Sequence, residues 1–361
     1  MKKMFIFAAL AFGLASCQNE TNIFGVDINN EEKAVEFTIT ATAPEAVETR
    51  ADANGYDNSS LSGLHNGSLT DHSLRFILEV FEIKHDANGN ATGEIVKSAE
   101  RYYGEIVDGT NNRTAKFSPR LVPGREYSFV VWADFVTTPE TDLYYNTANI
   151  EAIAVKDATW TAMAEARDAY TGVVTQTIAN DNATNINIAL TRPFAKVRYV
   201  TTDYVALKTL NVIPTTAKVE YTALPAYTFN ARTQEYAQAA APADKVGKIF
   251  ENYTIASYAT EHDEDTAGAN VETDLTLFSD YFFAPSSQVV MGVANITVKD
   301  QSGVVIGATK SIVTDVPAKR NMLTTVKGNL LTIKAGETSS FTITGTINDG
   351  FAEGETIVNI Q

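Results

Sequence analysis

The stretch Ala34-Val35-Glu36-Phe37-Thr38-Ile39-Thr40 decides how this chain is read. Its apolar and polar residues alternate with a period of two. That is the pattern of a half-buried strand, with Val35, Phe37 and Ile39 on the inward face. Related patterns recur at 74–83, 114–117, 127–135, 186–190, 195–201 and 217–223, and again at 274–284, 288–298, 304–311, 321–333 and 341–347. Turn-forming residues separate them, as in Asp86-Ala87-Asn88-Gly89-Asn90, Val122-Pro123-Gly124 and Asp300-Gln301-Ser302-Gly303. Many short strands with such turns imply a mostly β fold of antiparallel sandwiches. At 361 residues the chain has room for two of them. The boundary is read at Thr191-Arg192-Pro193, where a proline interrupts the strand pattern. Each half then has about 160 residues, enough for its own core.

The segment starting at Asp157 has the features of a helix. Asp157 can cap it, Trp160, Met163, Ala164 and Arg167 follow, and it runs to about Tyr170 with Gly172 as a stop. Its Trp160 and Met163 are read as core packing, and Tyr144-Tyr145 as aromatics lying on a sheet rather than as a sugar platform. The Ala- and Gln-rich stretch 231–244 and the acidic stretch 260–269 are read as exposed loops. A fold with one or two short helices is expected.

Composition narrows the functional classes. There are 28 Lys and Arg against 44 Asp and Glu, a formal charge of −16. Nucleic-acid binding needs a concentrated basic surface, so that partner is excluded. A single cysteine rules out a disulfide framework and a cysteine-based zinc site. The four histidines are scattered, and Asp86, Asn88 and Asn90 fail as a calcium loop because Gly89 precedes the third ligand. Gly-x-Ser-x-Gly, P-loop and His-Glu-x-x-His patterns are absent, and no carboxylate is singled out by its context. No enzyme, metal or cofactor is expected.

The N-terminus carries an export signal. Lys2 and Lys3 precede an apolar stretch from Met4 to Gly13, then Leu14-Ala15-Ser16-Cys17. The last four residues resemble the lipobox of bacterial lipoproteins. The resemblance implies removal of a signal peptide over 1–16 and lipidation of Cys17. Further on, Arg50 is the only Lys or Arg between Lys33 and Arg75, and it lies in a small-residue, acidic stretch of the type proteases cut.

Together these features resemble the fimbrillins, the type V pilus subunits of Bacteroidales-type bacteria. The resemblance rests on the lipobox at Cys17, the strand at 35–40, the Glu48-Thr49-Arg50-Ala51 junction and the β-rich body. It extends to Phe129-Val130-Val131-Trp132-Ala133-Asp134-Phe135, Leu143-Tyr144-Tyr145-Asn146-Thr147, Arg167-Asp168-Ala169-Tyr170 and Pro317-Ala318-Lys319-Arg320-Asn321. It implies two tandem transthyretin-like β-sandwich domains at 51–192 and 193–361, behind a lipidated pro-segment at 17–50. A protease would cut between Arg50 and Ala51, removing the first strand with Val35, Phe37 and Ile39. A neighbour's C-terminal strand would then fill the groove by strand addition. In this chain Gly350 and Gly354 precede Glu355-Thr356-Ile357-Val358-Asn359-Ile360-Gln361, which is strand-forming, with Thr356, Val358 and Ile360 on one face and Ile357 on the other.

The implied partners are other copies of the chain, accessory pilus subunits, the maturation protease and an adhesion receptor. The implied location is the outer membrane as a lipoprotein precursor, then the fimbrium. The competing class is a monomeric surface lipoprotein that binds glycans or host proteins through its loops. A glycosidase is a distant third. Cutting after Arg50 would remove four basic and seven acidic residues, leaving 24 against 37, so the acidity survives maturation.

Overall fold

The computed structural model describes residues 35–43, 72–107, 113–179, 185–237, 247–255, 260–264, 270–312, 315–332, 341–346 and 356–360. The chain adopts the mostly β fold that the alternation predicts. In its N-terminal half one sheet has the order β11-β8-β3-β4, built from Ala169–Thr177, Glu126–Val136, Ser73–His85 and Ala91–Tyr103. Facing it is the sheet β12-β2-β6-β5, built from Ile186–Ala189, Ile39–Thr42, Thr114–Phe117 and Glu105–Ile106. A two-stranded extension pairs β1 (Val35–Glu36) with β7 (Arg120–Leu121). Between the sheets lies an apolar core that includes Phe76, Leu78, Val80, Phe129, Val131, Phe117 and Ile188.

The C-terminal half repeats the architecture on a larger scale. A six-stranded sheet runs β18-β19-β13-β24-β25-β26, from Thr260–Glu264, Asn270–Phe283, Phe194–Thr201, Met322–Gly328, Phe341–Thr346 and Thr356–Ile360. It packs on β17-β14-β21-β22, from Lys248–Thr254, Pro214–Tyr221, Ala294–Asp300 and Lys310–Ile312. Phe278, Phe282, Phe250, Val219, Ile296 and Val326 fill the space between them. A small pair joins β20 (Val289–Val290) to β23 (Pro317–Ala318).

A third apolar cluster joins the two halves. Ile77, Phe81, Val130 and Trp132 come from the outer face of β3 and β8, and Phe194, Tyr281, Phe283 and Leu323 from the C-terminal sheet. Trp132 contacts Tyr145 at 5.4 Å between ring centroids in an edge-on geometry, and Phe194 stacks on Phe283 at 4.8 Å. A four-stranded sheet closes over this seam: β9 (Tyr145–Asn146), β10 (Ile153–Val155), β15 (Thr228–Asn230) and β16 (Glu235–Ala237). Because β10 pairs with β15, backbone hydrogen bonds cross the seam as well as side chains. Burial on both faces explains why β3 and β8 read as near-continuous apolar runs rather than alternating ones.

The helix expected from Asp157 to Tyr170 does not form. Two 3-10 turns, Asp157–Thr159 and Glu165–Arg167, occupy part of the segment, and Tyr170 already belongs to β11. Tertiary contacts override the local pattern. Trp160 Nε1 donates to Asp280 Oδ2 at 2.6 Å, Met163 N donates to the Ser279 carbonyl, and Met163 takes φ 57°, which ends any helix there. Arg167 pairs with the same Asp280 in full burial. Trp160 and Met163 are core residues, as read. Gly172 is a close-approach site rather than a helix stop: a Cβ there would lie 2.8 Å from Ile188 Cγ2, Leu190 Cδ2 and the Ala189 carbonyl. The α-helix that does form, α1 (Tyr204–Thr209), is only six residues long.

The acidic stretch at 260–269 is not simply a loop, because β18 pairs with β19. Part of the 231–244 stretch likewise forms β16. The turn at Asp86 is confirmed: its Oδ1 accepts from the Asn88 and Asn90 backbone N–H groups.

Two measurements test this account. Trp132→Ala removes a fully buried ring from the seam and should cost about 3–5 kcal/mol, read as a lower denaturant midpoint for the whole chain. Burial works to raise the Asp142 carboxyl. The Thr147 backbone N–H (2.8 Å), the Thr147 hydroxyl (2.7 Å) and Arg75 Nη2 (2.9 Å) outweigh it and hold that carboxyl below its usual range. A depressed carboxylate contributes stability above its unfolded value and loses it as pH falls through the folded one. Asp142→Asn should therefore cost about 1–3 kcal/mol at neutral pH, a penalty that shrinks below roughly pH 4 in melting curves.

Candidate functional site

The core of the strand expected at 34–40 occupies an interior place in its sheet. β2 pairs with β12 on one side in parallel (Ile39 beside Ile186, Ala41 beside Ile188) and with β6 on the other in antiparallel (Ile39 opposite Phe117, Ala41 opposite Ala115). The ladder continues past both ends of β2. Phe37 N donates to the Pro119 carbonyl at 3.0 Å, Ala43 N to the Arg113 carbonyl at 2.8 Å, and Leu190 N to the Thr42 carbonyl at 2.9 Å. Phe37, Ile39, Ala41 and Ala43 all face the core and are buried, while Thr38 and Thr42 are exposed. Burying Phe37 and Ile39 contributes about 1.5–3 kcal/mol each. Each ladder bond adds about 0.5–1.5 kcal/mol.

The expected strand is therefore present, split into β1 and β2 and extended to Thr42. Val35 lies in β1 opposite Leu121, Phe37 at the join and Ile39 in β2. Its two neighbours lie far away in sequence, at 114–117 and 186–189. Among the described residues β12 ladders only with β2; it is also tied to the body by the burial of Ile186 and Ile188 and by the isolated Thr171–Thr191 bridge that follows it.

One end of the slot is polar and buried. Arg113, directly beyond the Thr42–Thr114 pair, points inward in phase with Ala115 and Phe117. Its guanidinium lies over the Tyr170 ring at 5.5 Å and the Phe135 ring at 5.9 Å. Nη1 donates to the Tyr170 hydroxyl at 2.9 Å, which in turn donates to Asp168 Oδ2 at 2.8 Å. Arg192 Nε closes the chain on Asp168 at 2.8–2.9 Å. Burial pushes the Tyr170 phenol up, and the Asp168 carboxylate acts in the same direction. Sequence reasoning passed over Arg113. The signal was available, because an arginine stands in the apolar phase of the strand pattern at 113–117.

The other sequence-derived site residues lie elsewhere. Thr356, Ile357, Val358 and Ile360 form β26 at the edge of the six-stranded sheet, paired among the described residues only with β25, so one chain does not bring them to the slot. Cys17, Arg50 and Ala51 lie outside the described residues. Among the described residues no group of three or more His, Cys, Asp or Glu could hold a metal ion. No helix among them is long and apolar enough to cross a membrane.

Two joined β-sandwiches, with β2 embedded inside a sheet, define the class of this protein. The chain belongs to DUF6562, a family of unknown function whose model matches residues 29–360. No curated relative matches it. Among solved structures it is similar to a fimbrial assembly protein from Parabacteroides distasonis, at 13% identity and TM-score 0.40, covering 91% of this chain and 100% of that one. It is also similar to a fimbrial anchor protein from Porphyromonas gingivalis, at 9% identity and TM-score 0.38, covering 88% and 100%.

The polar end of the slot is open to test. Tyr170→Phe removes the hydroxyl that links Arg113 to Asp168 and leaves buried polar groups unpaired. The expected loss is about 1–3 kcal/mol by denaturant titration, with the core volume unchanged.

Proposed function

We propose that this chain is the structural subunit of a surface fimbria. It is exported as a lipoprotein through Cys17, cut after Arg50, and polymerised head-to-tail by addition of a neighbour's C-terminal strand, serving adhesion. The observation that carries this reading is the position of β2. With β1 (Val35–Glu36) just ahead of it, it comes before every other described strand of the body, and it fills the middle of a sheet. A cut between β2 and β3 separates β1 and β2 from every later described element while leaving the connectivity of those elements intact.

Loss of β2 would expose unpaired ladder groups on β12 and β6 and an apolar trough between them, a state that strand addition relieves. The proposed donor segment is suited to leave its place, because β26 is an edge strand with a single ladder to surrender. Donor and acceptor are different surfaces, so the contact is heterologous and propagates rather than closing into a dimer. The partners are further copies, accessory subunits, a trypsin-like or Arg-specific protease and a receptor on the surface to which the fimbria adheres.

Arg50→Ala provides the test. Blots of surface material without boiling should show a ladder from the wild-type chain and a single lipid-modified monomer from the variant. Ladders from the variant at wild-type yield would overturn the mechanism. A wild-type chain that stays monomeric and binds glycans would instead support the surface-lipoprotein reading.

A further inference from the structure

The slot left by β2 does not choose the direction of its occupant through its backbone. One wall is parallel to β2 and the other antiparallel. A strand entering in either direction therefore makes one parallel and one antiparallel ladder, and reversing it only exchanges the two. Direction must come from side chains.

The side-chain row along the slot is graded. Phe37 and Ile39 fill one end, and Ala41 and Ala43 the other. Space at the small end is limited from above, since its β6 wall at Ala115 is itself small. Ile188 flanks the Ala41 position and Leu190 follows just past β12, while the Arg113 carbonyl, just before β6, accepts from Ala43 N. The opposite sheet closes in above. Gly172 approaches Ile188 and Leu190 so closely that a Cβ would be 2.8 Å from each, and the Tyr170 and Phe135 rings cover the Arg113 guanidinium. A large residue placed there would overpack a site whose neighbours cannot retreat.

We infer that the slot accepts the segment Gly354–Ile360 of a second copy running opposite to β2. In that direction Ile360 takes the place of Phe37, Val358 that of Ile39, Thr356 that of Ala41 and Gly354 that of Ala43. Side-chain size then falls along the occupant as it falls along β2. In the reverse direction, with Thr356 at the Phe37 place, Ile360 meets the filled Ala41 place. This inference rests on the fimbrial reading and adds to it the polarity and register of the joint.

The test exchanges bulk between the two ends of the segment in the full chain. Ile360→Phe should leave ladder yield within about twofold of wild type, since a phenyl ring already fits the Phe37 place. Thr356→Phe should lower it at least tenfold, with the secreted monomer still present. The opposite ranking, or equal effects of the two, would overturn the polarity. A second measurement does not depend on yield. The Thr42 and Thr114 hydroxyls lie 3.2 Å apart, and Glu355 takes the Thr42 place in the inferred register. Thr114→Cys with Glu355→Cys should therefore link neighbouring subunits through a disulfide under oxidation. Polymers formed without that link would also overturn the inference. Absence of any ladder from the wild-type chain is a separate result, and it would remove the fimbrial reading itself.

Discussion

The structure depends on a seam in which two β-sandwiches share buried surface. Trp132 stands at its centre, ringed by Tyr145, Phe194, Phe229 and Phe283. Its backbone belongs to a strand whose other face fills the N-terminal core, through Phe129, Val131 and Ala133. One strand thus serves two cores at once, and neither half can rearrange without disturbing the other. Polar contacts reinforce the arrangement. Asp280, from the C-terminal sheet, receives Trp160 Nε1 and pairs with Arg167, which leads into β11 of the N-terminal sheet. Burial pushes that carboxyl up, and the Arg167 guanidinium opposes the shift. Such a buried pair adds little net stability, yet losing one partner strands the other in a dry interior.

The fold class was legible because it is written in a period of two, and Thr114–Phe117 matches its expected bounds. Where both faces are covered, as at 129–135, the period vanishes but apolar length still marks a strand. The strand Ala91–Tyr103 left no such mark: it is an edge strand with most residues exposed, and Glu94, Lys97, Glu100 and Arg101 interrupt the pattern. The helix reading of 157–170 failed for the converse reason. Its residues satisfy helical rules locally, but Trp160, Met163 and Arg167 are each claimed by β19. Six-residue α1 is too short to display a helical period.

The candidate site was half legible. Alternation identified Phe37 and Ile39 as inward residues, and both are buried. That β2 sits between strands at 114–117 and 186–189 could not be read, because strand order is a tertiary property with no local signature. The same holds for Gly172, which satisfies a helix-stop rule locally but is required by the approach of β11 to β12. Glycine rules identify where a side chain is unwelcome without saying which neighbour excludes it.

The dependence of β12 on β2 has a consequence for dynamics. Among the described residues Ile186–Ala189 ladders only with β2, and the chain runs directly from it through Leu190 and Thr191 to Arg192, whose guanidinium grips Asp168. Were β2 removed, this stretch would lose its ladder and become a locally opening unit, with amide exchange set by its own small free energy rather than by global unfolding. A strand filling the slot again would restore protection there, so the short tether between the two sandwiches would report on the state of the slot.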